Sequence, residues 1–242
     1  MFKRIMFLTG LLIAVFAVNA MADEFVDTFD AGAGPWASPP WAYGTVPATG
    51  GAWDDGPYLS LTGNPMRTNP MPRTFAGGIS PAEMFHGNYR LAGVTSVGVD
   101  VIVLAPAYAP YDMPGCLFFY SDLDNADGDD DQFWYYLTDK LPQPGDGWVS
   151  FDAPMDASSD TAPAGWLLGD ATPGTPPPAA NWSVAVQNVS MFGFYFGDFD
   201  GGGFGTQVGF TNVGCDNFRI TYGSAPVGVE EESWGGVKAL FR

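Results

Sequence analysis

Short apolar runs, alternating or continuous, are separated along this chain by clusters of Gly, Pro, Asn and Asp. The clearest run is residues 94–104, VTSVGVDVIVL. Val97, Val99, Val101 and Val103 share one parity and Ile102 and Leu104 the other, so the run reads as a central strand buried on both faces. Residues 116–121 (CLFFYS) and 132–137 (QFWYYL) read as an antiparallel pair joined by an acidic loop at 122–131. Residues 25–30, 58–62, 147–152 and 189–199 add further strands. Residues 211–222, TNVGCDNFRITY, read as the closing strand, tied back to the N-terminal strand and to a central one. The Pro/Gly/Ala-rich residues 163–180 read as an irregular surface excursion. Eight to ten short strands with little helical periodicity predict an all-β, jelly-roll β-sandwich over residues 23–222. A linker and a short C-terminal tail follow at 223–242.

The first 22 residues change that picture at one end. Lys3 and Arg4 precede a mostly apolar stretch, and small residues at Ala20 and Ala22 suit a signal peptidase. They read as a secretory signal peptide, too short in its apolar core to be a comfortable span. No later stretch has the roughly 20 apolar residues of a spanning helix. The expected product is secreted, at the cell surface or beyond it.

Charge narrows the partners. Without Lys3 and Arg4, the 9 Lys and Arg fall to 7 against 27 Asp and Glu, a net charge of about −20. That argues against nucleic acid and anionic lipid, both of which need clustered Lys or Arg. Two cysteines in an exported chain, Cys116 and Cys215, imply one disulfide; the alternative is two separate buried thiols.

Candidate chemistry is sparse. The acidic loop 122–131 does not match an EF-hand: with Gly128 at the glycine position, Leu123 falls where the first Asp belongs. His86 is the single histidine, and no G-x-S-x-G elbow accompanies it. No strand carries a recognisable pair of acids for glycoside hydrolysis. The chain therefore does not read as an enzyme. Sugar binding uses exposed aromatic rings as flat apolar platforms. Trp36, Trp41, Tyr43 and Trp53 in the early loops, or Trp134 and Tyr136 in a strand, are the candidates; the alternative for each is a place in the core.

Four stretches carry a family likeness. Asp27-Thr28-Phe29-Asp30 before Gly34-Pro35-Trp36, Phe85 to Arg90 with Val94 to Asp100, Trp148-Val149-Ser150-Phe151, and Cys215 to Thr221 resemble the galactose-binding-like and laminin B-like jelly-roll modules of secreted bacterial proteins. The resemblance implies the same fold and a structural Ca²⁺ between first and last strands. Asp30 and Asp216 would be its carboxylate ligands and Asp27 a neighbour; the alternative is that Asp216 only caps a strand end.

The tail is distinct. Trp234, Val237 and Phe241 share a helical face after Glu230, Glu231, Glu232 and Ser233. It either docks on the sandwich or is a tag read by sorting machinery. The whole reads as a secreted, non-enzymatic binding module whose partner is a glycan or another cell-surface ligand. The alternatives are a structural or matrix protein attached through its tail and, more remotely, a hydrolase.

Overall fold

The parity of one strand decides the layering. In the computed structural model, which describes residues 23–32, 36, 43–53, 56–62, 84–105, 114–121, 123, 131–169, 176–196 and 212–223, strand β4 (Val94–Ala105) places Val97, Val99, Val101 and Val103 in the buried core. Around it lie β1 (Asp23–Asp27), β2 (Tyr43–Thr45), β3 (Leu59–Thr62), β7 (Val149–Pro154) and β10 (Asn212–Tyr222). They form a six-stranded sheet in the order β2-β3-β10-β4-β7, with β1 also on β10. The second sheet holds β5 (Gly115–Ser121), β6 (Asp131–Thr138), β8 (Trp166–Leu168) and β9 (Met191–Phe196) in the order β8-β6-β5-β9. The chain passes between sheets at β4–β5, β6–β7, β7–β8 and β9–β10. This is a jelly-roll β-sandwich of antiparallel strands, the fold that the family likeness implies. Glu24–Tyr222 form one compact unit. Among the described residues no helix is long and apolar enough to cross a membrane.

Aromatic rings fill the space between the sheets. Phe85 stacks on Phe192 at 5.0 Å, Phe119 on Phe133 at 4.8 Å and Trp36 on Phe218 at 4.1 Å. Each such ring, fully buried, removes enough apolar surface to stabilise the fold by about 1.5–3 kcal/mol. The closing strand behaves as its sequence indicates, pairing with β1, β3 and β4. The pair β5–β6 is antiparallel as expected, with Phe118 opposite Trp134.

Among the described residues two short α-helices escape the pattern. Helix α1 (Tyr89–Ala92) is a single turn made by its caps: the Asn88 side chain accepts from Leu91 N, and Gly93 at φ 72° ends it. Strand β8 lies in the stretch expected to be irregular, and helix α2 (Ala179–Ala185) begins at its last two residues. Trp166 and Trp182 explain both, since each is buried in the inter-sheet core and pins its segment there. Composition had hidden two buried indoles among prolines.

The expected disulfide does not form. Both cysteines are free thiols. Leu117 and Phe119 of β5 face the inter-sheet core, so Cys116 faces the other side. There it packs with Phe118, Tyr120, Trp134, Met191 and Tyr195. Cys215 faces inward from the opposite sheet. A whole sheet separates the two sulfur positions, which no χ rotation bridges. Burial pushes both thiols up, and Asp216 adds to this at Cys215. The expected result is that a thiol reagent labels neither cysteine in the native protein and both after denaturation, with reductant leaving the melting temperature unchanged. A reductant-dependent melt would contradict it.

Candidate ligand-binding site

The outer face of the six-stranded sheet is built around a buried carboxylate. Strand parity that sends the valines of β4 inward sends Gly98, Asp100 and Ile102 outward. Asp100 is only 1% exposed. In register it stands between Asp216 on β10 and Ser150 on β7. One row along, Gly98 stands between Arg219 and Asp152. A β-bulge makes this possible. Between Asp216 and Arg219 strand β10 advances one residue more than β4, with Asn217 in the left-handed region at φ 46°. Asn tolerates that conformation better than most residues. The extra residue turns Phe218 into the core and brings Arg219 out over Gly98.

Asp100 accepts four hydrogen bonds. Ser150 Oγ and Arg219 NH1 donate to its Oδ1 at 2.6 and 2.8 Å. Asn217 Nδ2 and Trp53 Nε1 donate to its Oδ2 at 2.8 and 2.6 Å. Burial alone pushes this carboxyl up, but the bonds from Ser150, Asn217, Arg219 and Trp53 outweigh it and hold it below its ordinary value. Arg219 lies across Gly98 and also donates through Nε to Asp152 Oδ1 at 2.8 Å and through NH2 to Phe151 O at 2.9 Å. Its desolvation is likewise outweighed by Asp152 and Asp100, so the guanidinium is held charged. Glycine at 98 is a requirement of space: a Cβ there would lie 2.3 Å from Asp152 Oδ1 and 2.6 Å from Arg219 Nε.

A loop is strapped onto this face by the same carboxylates. Asp216, also 1% exposed, accepts from Ala52 N at 2.8 Å. Trp148 donates its indole N–H to Gly50 O at 3.1 Å and packs edge-on against Tyr58. Between these anchors Trp53 sits at φ 63°, its side chain among the most exposed of the large apolar groups at 78%. The ring is therefore presented to solvent while its N–H is fixed to buried Asp100.

The sequence candidates separate at this point. Trp36 is core, stacked on Phe218 and donating to Asp27 Oδ2 at 2.8 Å, so it presents no platform. Trp134 is fully buried and Tyr136 is partly buried against its cluster. Among the candidates whose side chains are described, Trp53 is the exposed one. Trp41, Trp234, Val237 and Phe241 lie outside the described residues, as do the signal segment and most of the acidic loop; Tyr43 is described only as backbone in β2. Asp30 is exposed in a turn and accepts from Thr28 Oγ1, while both Asp216 oxygens already accept backbone N–H groups. Among the described residues no group of three or more His, Cys, Asp or Glu side chains converges on a point.

No family model matches the sequence, and no curated protein matches it. Solved structures do. The family 11 carbohydrate-binding module from Clostridium thermocellum, in complex with a β-1,3-1,4-mixed-linked tetrasaccharide, is similar at TM-score 0.48 and 13% identity, over 83% of this chain and 96% of that one. The solution structure of CtCBM11 is similar at 0.47 and 16%, over 86% and 99%. The N-terminal CBM22-1–CBM22-2 tandem domain of Paenibacillus barcinonensis Xyn10C is similar at 0.46 and 10%, over 82% and 49%.

Asp100, Ser150, Asp152, Asn217 and Arg219 were not among the sequence candidates. The signal for them was present: an aspartate, two places after a glycine, inside the most apolar strand. A charge in such a run has to be paired.

The linkage sign follows from the depressed carboxyl of Asp100. Its contribution is fully present above the unfolded value of about 3.9 and is lost as pH falls through the lower folded value. Asp100→Asn is expected to cost about 3 kcal/mol at neutral pH, since it leaves Arg219 short of a buried partner. It should also flatten the acid-side loss of stability below about pH 4. Denaturant unfolding as a function of pH measures both. Gly98→Ala is expected to destabilise by about 1–3 kcal/mol through displacement of the Arg219–Asp152 pair.

Proposed function

We propose that the Glu24–Tyr222 unit is a non-catalytic, extracellular carbohydrate-binding module that takes its glycan on the Trp53 face. The observation that carries this is the exposed Trp53 ring, fixed through its indole N–H to a buried carboxylate at 2.6 Å. A flat, immobilised aromatic is what the C–H face of a pyranose stacks on, and its ordering cost has already been met by folding. On the same face, Asp152 is exposed and bonded through Oδ1, so its second oxygen can accept from a hydroxyl. The leader-like residues 1–22 and the acidic composition support an exported protein.

The test is a titration of the folded protein against soluble polysaccharides. Trp53→Ala is expected to lose at least about tenfold in affinity, since a stacked indole contributes on the order of 1.5–3 kcal/mol. It should stay folded, with stability lowered by about 1–2 kcal/mol for the lost hydrogen bond. Trp53→Phe keeps a ring without the N–H anchor and is expected to fall between the two. Undiminished binding by folded Trp53→Ala would remove the Trp53 reading, and absence of wild-type binding to any glycan would remove the function.

A further inference from the structure

We infer that this face selects uncharged glycans, and that Asp152 is the residue that sets the choice; the inference rests on the glycan reading of Trp53. Asp152 is the solvent end of a chain of three contacts. Trp53 Nε1 meets Asp100 at 2.6 Å, Arg219 NH1 meets Asp100 at 2.8 Å, and Arg219 Nε meets Asp152 at 2.8 Å. The chain links the aromatic platform to a carboxylate on the same face of the sheet and fixes that carboxylate's position. Only Oδ1 of Asp152 is engaged; the side chain is 59% exposed, and Oδ2 is left as an acceptor for a ligand hydroxyl.

The same geometry removes the cation that an acidic sugar would need. Arg219 faces two carboxylates, Asp100 and Asp152, and is only 12% exposed, so its charge is already matched. Uronate or sulfate approaching Trp53 would meet the charge of Asp152 on the same face, against a chain of net charge −18. Asp54 and Asp55 follow Trp53 directly in sequence. At low ionic strength that repulsion is weakly screened, with a Debye length of about 30 Å at 0.01 M. A neutral pyranose meets no such cost, and its hydroxyl gains a charge-assisted hydrogen bond to Oδ2. Selection therefore combines an attractive and a repulsive element in one side chain.

The experiment compares neutral polymers (β-glucan, xylan, mannan, galactan) with uronate polymers (polygalacturonate, alginate) on the full chain at low and at high salt. The wild type is expected to bind at least one neutral polymer and no uronate at low salt, and salt is expected to weaken the discrimination. Asp152→Asn keeps an oxygen for Arg219 while removing the charge. It is expected to lose about tenfold for the neutral polymer and to gain uronate binding, with an unchanged melting temperature confirming the fold. Uronate binding as tight as neutral binding in the wild type overturns the inference while leaving the glycan reading in place. Discrimination that is indifferent to both salt and Asp152→Asn overturns it in the same way. Binding to no polymer overturns both.

Discussion

A carboxylate taken almost wholly out of water has to be met by donors, and Asp100 is met by four. Those donors come from β7, from two positions of β10 and from the loop that carries Trp53. One buried charge thus ties together the middle of the six-stranded sheet and the segment lying on it. An unpaired carboxylate at this depth would be neutralised or would unfold its surroundings. The neighbours are consequently constrained more tightly than packing alone would demand.

The constraint shapes the whole outer face. Arg219 is held down across Gly98 because nothing larger than hydrogen fits beneath it. Asp216, directly opposite Asp100 across the β10–β4 ladder, has the loop backbone at Ala52 as a donor. Gly51 lies against that same carboxylate, where a Cβ would stand 2.7 Å from Asp216 Oδ2. Farther along, Gly214 lets Trp148 and Tyr58 lie close over the sheet. From this face the Trp53 ring extends into solvent. The backbone strain at Trp53 is sustained by the hydrogen bonds on either side.

Much of the fold was legible in the sequence. Period-two alternation marked β4, paired runs marked β5 and β6, and the turn clusters marked the sandwich class. What escaped were elements fixed by single tertiary contacts. Asn88 and Gly93 close a helix of four residues, and Trp166 and Trp182 pin β8 and α2 to the core. The disulfide expectation failed because cysteine counting carries no information about which side of a strand a side chain occupies. The site was half legible. Trp53 was on the list of aromatics, but nothing local separated it from Trp36, which a stacking partner on β10 draws into the core. The bulge at Asn217 is what assembles the polar cluster, and a single inserted residue leaves no periodic trace.

The central claim is that Trp53 is solvent-exposed as a ring yet immobilised through its indole N–H, and that ligand lands on it. Indole ¹⁵N–¹H spectra, with the Trp53 resonance assigned by its loss in Trp53→Phe, test this most directly. The account predicts a Trp53 N–H that exchanges slowly with water for so exposed a side chain, and that shifts on addition of a bound glycan while the core indole of Trp166 does not. A Trp53 N–H in fast exchange, or a glycan response confined to other tryptophans, would contradict it.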